Sequence, residues 1–348
     1  MKRILVFLMA IVMTAAIFVS CAAPEPSVTP TPTPAATPAP TPVPTPTPVP
    51  TPTPRPADMS YTTGLHYEGE YKPVMVVIEN SPAARPQTGL QTADVVYEVP
   101  VEGAITRFVC VFSDNVPEGV MPVRSGRVPF LYLQQEWNAI LMHFGGSGSG
   151  NANAPDFTYY GSPLHGKVKV DIDLLSGKWS KYYYRVKDKK APHNAMGNPQ
   201  LAQQLYDYAP EPLKWEFDPN VTYSGADATE FKLSMCSNDE DFISYKYDPA
   251  QDAYLRFMDG KVFKSAETNK QVAVKNVIVQ YSTYESRDVY KVWKMTGSGN
   301  ADFYIGGKLI KGTWSKEAPE SQTMYLDDKG NPIVLKSGNT WIHISPQK

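Results

Sequence analysis

Two arginines, Arg124 and Arg127, lie on either side of a Ser-Gly pair in the segment PVRSGR, residues 122–127. The next residues, VPFLYLQQEW, have apolar side chains at helical spacing and predict a helix that begins near Val128. Free backbone N–H groups and the helix dipole favour negative charge at such a helix start, and guanidinium groups bind carboxylate or phosphate through paired hydrogen bonds. The pattern predicts an anion site at Arg124, Ser125 and Arg127. Alternatively, the arginines pair with carboxylates of the protein itself, and nearby candidates in the sequence are Asp94, Glu98 and Glu102.

A glycine-serine segment, HFGGSGSGN at 143–151, follows the predicted strand AILMHF. Its glycines miss the G-x-G-x-x-G spacing and no Lys-Ser/Thr pair follows, so a nucleotide site is disfavoured. Glycine lets the backbone approach a ligand closely, and turn amides can hold an anion. The segment predicts a binding loop at Gly145, Gly146 and Ser147 with His143 beside it. The alternatives are a flexible strand exit and a buried, hydrogen-bonded histidine.

The motif KAPHN places His193 and Asn194 after the basic stretch Lys187 to Lys190, in a predicted exposed loop. Open α/β sheets bind ligands at one end of the sheet, so we expect these two residues to share a cleft with His143 and the two arginines. Either histidine could act as an acid or base. No G-x-S-x-G motif surrounds a serine, so nucleophilic catalysis has no support.

Two further patterns are ambiguous. Asp171 and Asp173 in VDIDLL could hold a metal with a third ligand, but alternation in a half-exposed strand gives the same spacing, and we predict neither a metal nor another cofactor. Exposed aromatic rings of the C-terminal region could stack on sugars, although core packing is more common. These rings are Trp293, Tyr304, Trp314, Tyr325 and Trp341.

The N-terminus has the pattern of an export signal. Lys2 and Arg3 precede an apolar run that ends at Ser20-Cys21, and the run is short for a membrane span. The end of this run is similar to a bacterial lipobox, with Phe18 where Leu is usual. We therefore expect residues 1–20 to be a lipoprotein signal peptide and Cys21 to carry the lipid that anchors the chain in the cell membrane, facing outside the cytoplasm. An ordinary cleaved signal or an uncleaved anchor is the alternative.

A Pro/Thr-rich linker is predicted over residues 21–58. Residues 24–56 hold 15 of the 33 prolines and no aromatic residue that could start a core. Polyproline II geometry, at about 3.1 Å per residue, would extend this segment to roughly 100 Å.

The body that follows the linker is nearly neutral. Removing Lys2, Arg3 and Arg55 from the 33 basic residues leaves 30, and removing Glu25 from the 35 acidic residues leaves 34, so its net charge is about −4. A body of this charge, with no long basic run, disfavours nucleic acid as a partner.

The body itself is predicted in two parts. Over 59–215, strand patterns (VMVVIEN, DVVYEV, TRFVCVFS, AILMHF) alternate with helical ones, the last of which has Asn198 as N-cap and Pro199 in its first turn. This alternation favours an α/β or α+β domain with a mixed sheet. Over 216–348, short β-rich runs separated by turns favour an all-β domain, as an antiparallel meander, barrel or sandwich. Cys110 and Cys236 lie in strand-like runs and are predicted to be buried free thiols rather than a disulfide.

Several motifs in fixed order resemble the YerB-like family of bacterial lipoproteins. They are ADVVYEVPVEGAITRFVCVFSD, MPVRSGRVPFLYL, HFGGS, KAPHN, YLRFMDGKVF, KNVIVQY, TGSGNADFYIGGKLIKGTWSK and SGNTWIHI. Met121 stands where the family often has Gly, and Gly126 replaces a usual Ala. The resemblance implies an extracytoplasmic location and a two-part body, and it supplies no reaction or catalytic residue.

We therefore expect a membrane-tethered protein that binds an anionic component of the cell envelope, such as a peptide carboxylate, a muropeptide or a phosphorylated polymer. The first alternative is a hydrolase or transferase that acts on cell-wall polymers with a histidine as acid or base. The second alternative is a scaffold for another envelope protein.

Overall fold

The computed structural model describes residues 55–148, 155–235, 242–287 and 289–346. The predicted signal peptide, the lipidation site Cys21 and nearly all of the predicted linker lie outside the described residues. The same holds for Cys236 and for the end of the glycine-serine segment, residues 149–154. None of the helices within the described ranges is long and apolar enough to cross a membrane.

The N-terminal region contains seven strands and two α-helices among its described residues. The strands are β1 (Val74–Glu79), β2 (Val95–Pro100), β3 (Thr106–Phe112), β4 (Ile140–His143), β5 (Asp171–Asp173), β6 (Tyr183–Arg185) and β7 (Ala195–Gly197). The helices are α1 (Val128–Trp137) and α2 (Pro199–Gln203). Short 3-10 helices lie at Pro82–Ala84, Leu90–Thr92, Glu102–Ala104, Pro155–Phe157, His165–Lys167 and Gly177–Tyr182.

Both predicted α-helices are confirmed, with the local signals that define their ends. Helix α1 has Pro129 in its first turn and ends at Asn138, whose φ of 46° is left-handed. Helix α2 begins after Asn198, whose side-chain oxygen accepts a hydrogen bond from the Leu201 N–H at 2.7 Å. These contacts are local in sequence, which is why the sequence alone could predict them.

The C-terminal region is built from short strands with no α-helix in its described part. They are β8 (Glu216–Phe217), β9 (Ala226–Asp227), β10 (Glu230–Ser234), β11 (Phe242–Asp248), β12 (Ala253–Met258), β13 (Lys261–Val262), β14 (Ala273–Val274), β15 (Asn276–Ser282), β16 (Tyr284–Arg287), β17 (Tyr290–Trp293), β18 (Gly297–Ile305), β19 (Lys308–Lys316), β20 (Met324–Asp327), β21 (Val334–Leu335) and β22 (Thr340–Pro346).

One large mixed sheet runs through both regions. Its order is β20-β19-β18-β15-β22-β2-β3-β1-β4-β5, and β9 also pairs with β19. The last strand, β22, pairs in parallel with β2 of the N-terminal region and with β15. The mixed sheet and the mainly antiparallel C-terminal strands predicted from the sequence are confirmed. The sequence did not show that the two regions share one sheet, and Pro54–Lys348 forms a single compact unit.

A second sheet and the core complete the body. The second sheet has the order β10-β11-β12-β13, with β14 also paired to β12. Alternating residues of β1 face two different core clusters, so both faces of the large sheet are covered.

Cys110 is a buried free thiol, as predicted, and burial raises the pKa of this thiol well above the usual value.

Of the two interpretations of the C-terminal aromatic residues, core packing is confirmed and the less common one, sugar stacking, is not. All five rings are at most 7 % exposed because they pack in the core rather than facing solvent. These rings belong to Trp293, Tyr304, Trp314, Tyr325 and Trp341.

Candidate functional site

Three parallel strands bring their carboxyl ends to one edge of the large sheet. Strands β1, β4 and β5 are parallel neighbours, and they end at Glu79, His143 and Asp173. The PVRSGR segment crosses this edge: the Arg124 N–H donates to the Val77 carbonyl at 2.9 Å, and the Phe144 N–H donates to the Arg124 carbonyl at 3.0 Å. Loops that follow parallel strands often form ligand sites at this edge.

A cavity of about 320 Å³ lies here. Its lining includes four of the predicted site residues, Arg124, Ser125, Gly145 and Gly146. It also includes Ala195, which directly follows the predicted pair His193 and Asn194 in the sequence. Its lining residues are Val123, Arg124, Ser125, Phe144, Gly145, Gly146, Tyr160, Leu175, Arg185, Pro192 and Ala195. The size suits a small polar group or one end of a larger ligand.

Arg124 is the partly exposed cation of this cavity. Its side chain is 25 % exposed, and its Nε lies 3.0 Å from Glu79 Oε2, although the N–H direction does not give a good hydrogen bond. Glu79 is shared, because its Oε2 also lies 2.8 Å from His193 Nδ1 and its Oε1 accepts from the Ser81 hydroxyl at 2.8 Å. Within the part of the chain that the structure describes, Glu79 is the one acidic partner of Arg124. The guanidinium is therefore incompletely paired.

Arg185 adds a second guanidinium to the cavity wall. Its Nη1 donates to the Asn194 side-chain oxygen at 2.7 Å, and its guanidinium carbon lies 5.0 Å from the centre of the Phe144 ring. The amide and the ring orient the group without neutralising it. Asn194 is buried and acts here by holding Arg185. Two guanidinium groups, those of Arg124 and Arg185, thus share one cavity.

Arg127 is paired inside the protein, as the alternative interpretation predicted. Its Nε donates to Glu102 Oε2 at 2.9 Å, its Nη2 donates to Glu102 Oε1, and its Nη1 donates to the Gly126 carbonyl at 2.8 Å. Arg107 supports the same loop by donating to the Ser125 carbonyl at 2.7 Å. Burial lowers the pKa of both arginines to about 10. Arg127 therefore fixes the loop that presents Arg124.

His143 is fully buried, and both of its ring nitrogens have partners. Nδ1 lies 2.8 Å from the Gly145 carbonyl and Nε2 lies 2.8 Å from Asp171 Oδ1. Although burial alone would lower the pKa of His143, Asp171 and the Gly145 carbonyl raise it above the usual value. Of the two interpretations of His143, the structure favours the buried, hydrogen-bonded one. Both ring nitrogens are thus engaged within the protein, and His143 is not one of the residues that line the cavity.

The two aspartates of β5 hold the glycine loop. Asp173 accepts from the Gly145 N–H at 2.7 Å and from the Tyr160 hydroxyl at 2.6 Å. Asp171 accepts from the Tyr159 hydroxyl at 2.8 Å. The Gly145 amide is thus used internally and is not free to hold an anion. The carboxylates serve as hydrogen-bond acceptors, and the described residues contain no group of three or more acids, cysteines or histidines arranged for a metal.

Close packing against Tyr159 explains the small residues of this loop. A Cβ added at Gly126 or Gly146 would lie 2.5 Å or 2.8 Å from the Tyr159 ring, and Gly145 has a left-handed φ of 71°. Ser147 is also buried, and its hydroxyl accepts from the Tyr159 N–H at 3.0 Å. Ser147 therefore anchors the loop rather than lining the cavity.

Sequence reasoning missed Glu79 beside the cavity and three lining residues from other segments, Tyr160, Leu175 and Arg185. Glu79 had a local signal, since it is an acid at the end of an otherwise apolar strand. The other three reach the cavity through tertiary contacts between segments far apart in the sequence, which no local pattern reveals. The remaining unpredicted lining residues lie within or directly beside the predicted motifs: Val123, Phe144, Pro192 and Ala195.

Comparisons with known proteins agree with the fold. The family model described as "Protein of unknown function (DUF3048) N-terminal domain" matches residues 62–211, and the corresponding C-terminal domain model matches residues 231–342. A Bacillus subtilis (strain 168) protein named "Putative lipoprotein YerB" is 30% identical over 300 residues, which covers 82% of this chain and 85% of that protein. The crystal structure of the YerB protein from Bacillus subtilis is similar with a TM-score of 0.69 and 27% identity, covering 83% of this chain and 97% of that one. The chain therefore belongs to the DUF3048 family of YerB-like proteins, as its motifs indicated.

Proposed function

We propose that this protein is a lipid-anchored, extracytoplasmic binding protein whose cavity at Arg124 holds an anionic group of a cell-envelope component. The observation that carries the proposal is the incomplete pairing of Arg124, which shares the buried Glu79 carboxylate with His193 while facing a cavity. Arg185 adds a second positive charge there and has a neutral partner. Two guanidinium groups around a concave site can both donate hydrogen bonds to the oxygens of a carboxylate or phosphate.

The anchor is the second part of this proposal. A relative of similar length has the name "Putative lipoprotein YerB", and the lipobox-like sequence ends at Cys21. Palmitate labelling of cells that express the full chain should mark the protein, and Cys21→Ala should abolish the label. Equal labelling of the two proteins would remove lipidation at Cys21 from the proposal.

The anion site is tested by isothermal titration with inorganic phosphate and with acetate, as the simplest phosphate and carboxylate. Arg124→Gln should weaken binding about tenfold or more, because a hydrogen bond to a charged group contributes roughly 1.5–3 kcal/mol. Lys246→Gln is the matched control, since Lys246 is exposed and pairs with Glu230 in the second sheet. Equal affinity of Arg124→Gln and the native protein would contradict the site and favour a scaffold role.

A second candidate function, hydrolysis or transfer on a cell-wall polymer, is favoured by one observation. Glu79 lies 2.8 Å from His193 Nδ1, an arrangement that orients an imidazole so that its other nitrogen can accept or donate a proton. Incubation with purified peptidoglycan distinguishes the two functions. Cosedimentation without new fragments supports binding, whereas released fragments that disappear in His193→Gln would support catalysis.

A further inference from the structure

A single segment concentrates positive charge beside the cavity. Residues 174–192 contain six basic residues and one acidic residue, whereas the whole protein has a formal net charge of −2. The basic residues are Lys178, Lys181, Arg185, Lys187, Lys189 and Lys190, and the acidic one is Asp188. Clustering of like charges costs free energy through mutual repulsion, so a cluster on an acidic protein needs a reason.

The path of the chain places this charge at the rim of the cavity. Leu175, Arg185 and Pro192 all line the cavity. The chain therefore leaves the cavity after Leu175, returns at Arg185, leaves again and returns at Pro192. We call residues 176–184 the inner lobe and residues 186–191 the outer lobe. Each lobe begins and ends at the cavity, and each of its exposed lysines lies within four residues of a lining residue along the chain.

Four lysines of the lobes are exposed. They are Lys178 and Lys181 in the inner lobe and Lys187 and Lys190 in the outer lobe, and none of the four has an acidic partner among the described residues. Two of them make cation–π contacts. The Lys178 ammonium lies 4.4 Å from the centre of the Trp179 ring, and the Lys181 ammonium lies 5.0 Å from the centre of the Tyr182 ring. Such ammonium groups remain available to an external anion.

The outer lobe is also held in place. Lys189, unlike its neighbours, donates to the Ala84 and Pro86 carbonyls at 3.2 and 3.1 Å. The Val186 N–H donates to the Asn194 carbonyl at 3.0 Å, and the His193 N–H donates to the Lys190 carbonyl at 2.9 Å. These bonds fix the backbone, so the exposed lysines project from an ordered surface.

We propose that the cavity and the two lobes form one binding surface for a linear polyanion with repeated phosphate groups. One phosphate would occupy the cavity at Arg124 and Arg185, and the following phosphates would lie on Lys178, Lys181, Lys187 and Lys190. This inference rests on the proposed function and specifies its ligand class. A single anion would need only the two guanidinium groups, whereas the four exposed, hydrated ammonium groups suit further phosphates as point charges.

An anionic bilayer is a weaker fit to the same surface. Leu175 and Tyr184 are 67% and 58% exposed and could insert between lipids. However, the central cations line a concave cavity, which a flat headgroup layer cannot fill. The membrane is therefore an outcome of the test rather than the proposal.

The test compares ligands of increasing length, with the full-length protein in a neutral detergent. Inorganic phosphate, a short linear polyphosphate, polyglutamate and phosphatidylglycerol vesicles are titrated at several salt concentrations. Polyphosphate should bind about 100-fold tighter than inorganic phosphate, with a steep loss of affinity as salt rises, because each neutralised phosphate releases counterions. Polyglutamate and vesicles should bind more weakly than polyphosphate.

Two variants assign the surface. Replacement of Lys178, Lys181, Lys187 and Lys190 by Gln should weaken inorganic phosphate binding far less than polymer binding, remove the preference for the polymer and lower the salt slope by about 3. The control replaces four exposed lysines of the C-terminal region, Lys246, Lys261, Lys264 and Lys270, and should retain the preference. Circular dichroism melting checks that both variants fold.

The outcomes separate this inference from the proposed function. Phosphate binding that depends on Arg124, without any preference for the polymer, would leave the proposed function intact and overturn the inference. A preference that survives the four lobe substitutions, or tighter binding to polyglutamate or to vesicles, would also overturn it. If neither phosphate nor polymer binds, this inference fails, and the proposed function fails with it when acetate does not bind through Arg124 either.

Discussion

Arg124 and Arg127 are three residues apart and do different things. Arg127 makes a bidentate contact with Glu102 and its side chain is 9% exposed, while the Arg124 side chain is 25% exposed and shares Glu79 with His193. Residue type and spacing predicted an anion site at both arginines, with internal pairing as the alternative for both. The difference between them depends on which carboxylate folds against which guanidinium, and that is a tertiary property.

This difference predicts that loss of Arg127 mainly lowers stability, whereas loss of Arg124 mainly lowers anion binding. Arg127→Met should lower the free energy of unfolding by about 1–3 kcal/mol, because Glu102 loses its main partner and the loop loses its bond to the Gly126 carbonyl. Arg124→Met should cost less, since Glu79 keeps His193 and Ser81. Urea denaturation measures both. A larger loss in Arg124→Met than in Arg127→Met would contradict the assigned roles.

At the scale of elements, a pair of acids, the buried Asp94 and the half-buried Asp114, attaches the segment that follows the predicted linker. Thr62 Oγ1 lies 2.9 Å from Asp94 Oδ2 and 3.0 Å from Asp114 Oδ1, and Thr63 Oγ1 donates to Asp114 Oδ2 at 2.6 Å. The single Thr62 hydroxyl proton can serve only one of the two carboxylates at a time. Burial, together with the charge of Asp114, raises the pKa of Asp94 to about 7.

This acid pair makes stability depend on pH. The folded protein keeps a proton on Asp94 up to about pH 7, whereas an unfolded aspartate loses it near pH 4. The folded state therefore binds this proton more tightly than the unfolded state does. The resulting contribution to the free energy of unfolding is full at low pH and is lost as the pH rises to about 7. Asp94→Asn should remove it. The free energy of unfolding of Asp94→Asn minus that of the native protein should increase between pH 5 and pH 7, by at most about 1.4 kcal/mol per pH unit. A difference that stays constant over this range, in urea titrations, would contradict the raised pKa.

At the scale of the whole molecule, a buried ionic cluster joins the two sheets. Arg256 of β12 lies 3.0 Å from Glu98 of β2, and His343 of β22 lies 3.3 Å from the same carboxylate. All three side chains are fully buried, and the Tyr245 hydroxyl contacts both Arg256 and His343 at 2.9 Å. Although burial opposes its charge, Arg256 and His343 lower the pKa of Glu98 to about 2.

Loss of one partner in this cluster should destabilise the whole body. Arg256→Met leaves the Glu98 charge buried without its main counterion and should cost about 3–5 kcal/mol. Because the large sheet is continuous, unfolding should remain a single transition by both tryptophan fluorescence and circular dichroism. The double variant Arg256→Met with Glu98→Gln should cost less than the sum of the two single variants. Separate transitions for the two regions would contradict this coupling.

The sequence predicted what is decided locally. Strands β1 to β4 follow from runs of apolar and β-branched residues, and helix α2 follows from Asn198 and Pro199. It did not predict the parallel pairing of β22 with β2, because these strands are separated by some 240 residues. For the same reason it missed Arg185 at the cavity, and it could not distinguish the paired Arg127 from the partly free Arg124.

The most direct measurement of the central claim is to locate a bound oxyanion. Crystals of the protein soaked in tungstate should give an anomalous difference peak in the cavity, with oxygens about 3 Å from the guanidinium groups of Arg124 and Arg185. Crystals of Arg124→Gln soaked in the same way should lack this peak. A cavity without a peak in the native protein, or a peak that persists in Arg124→Gln, would contradict the account.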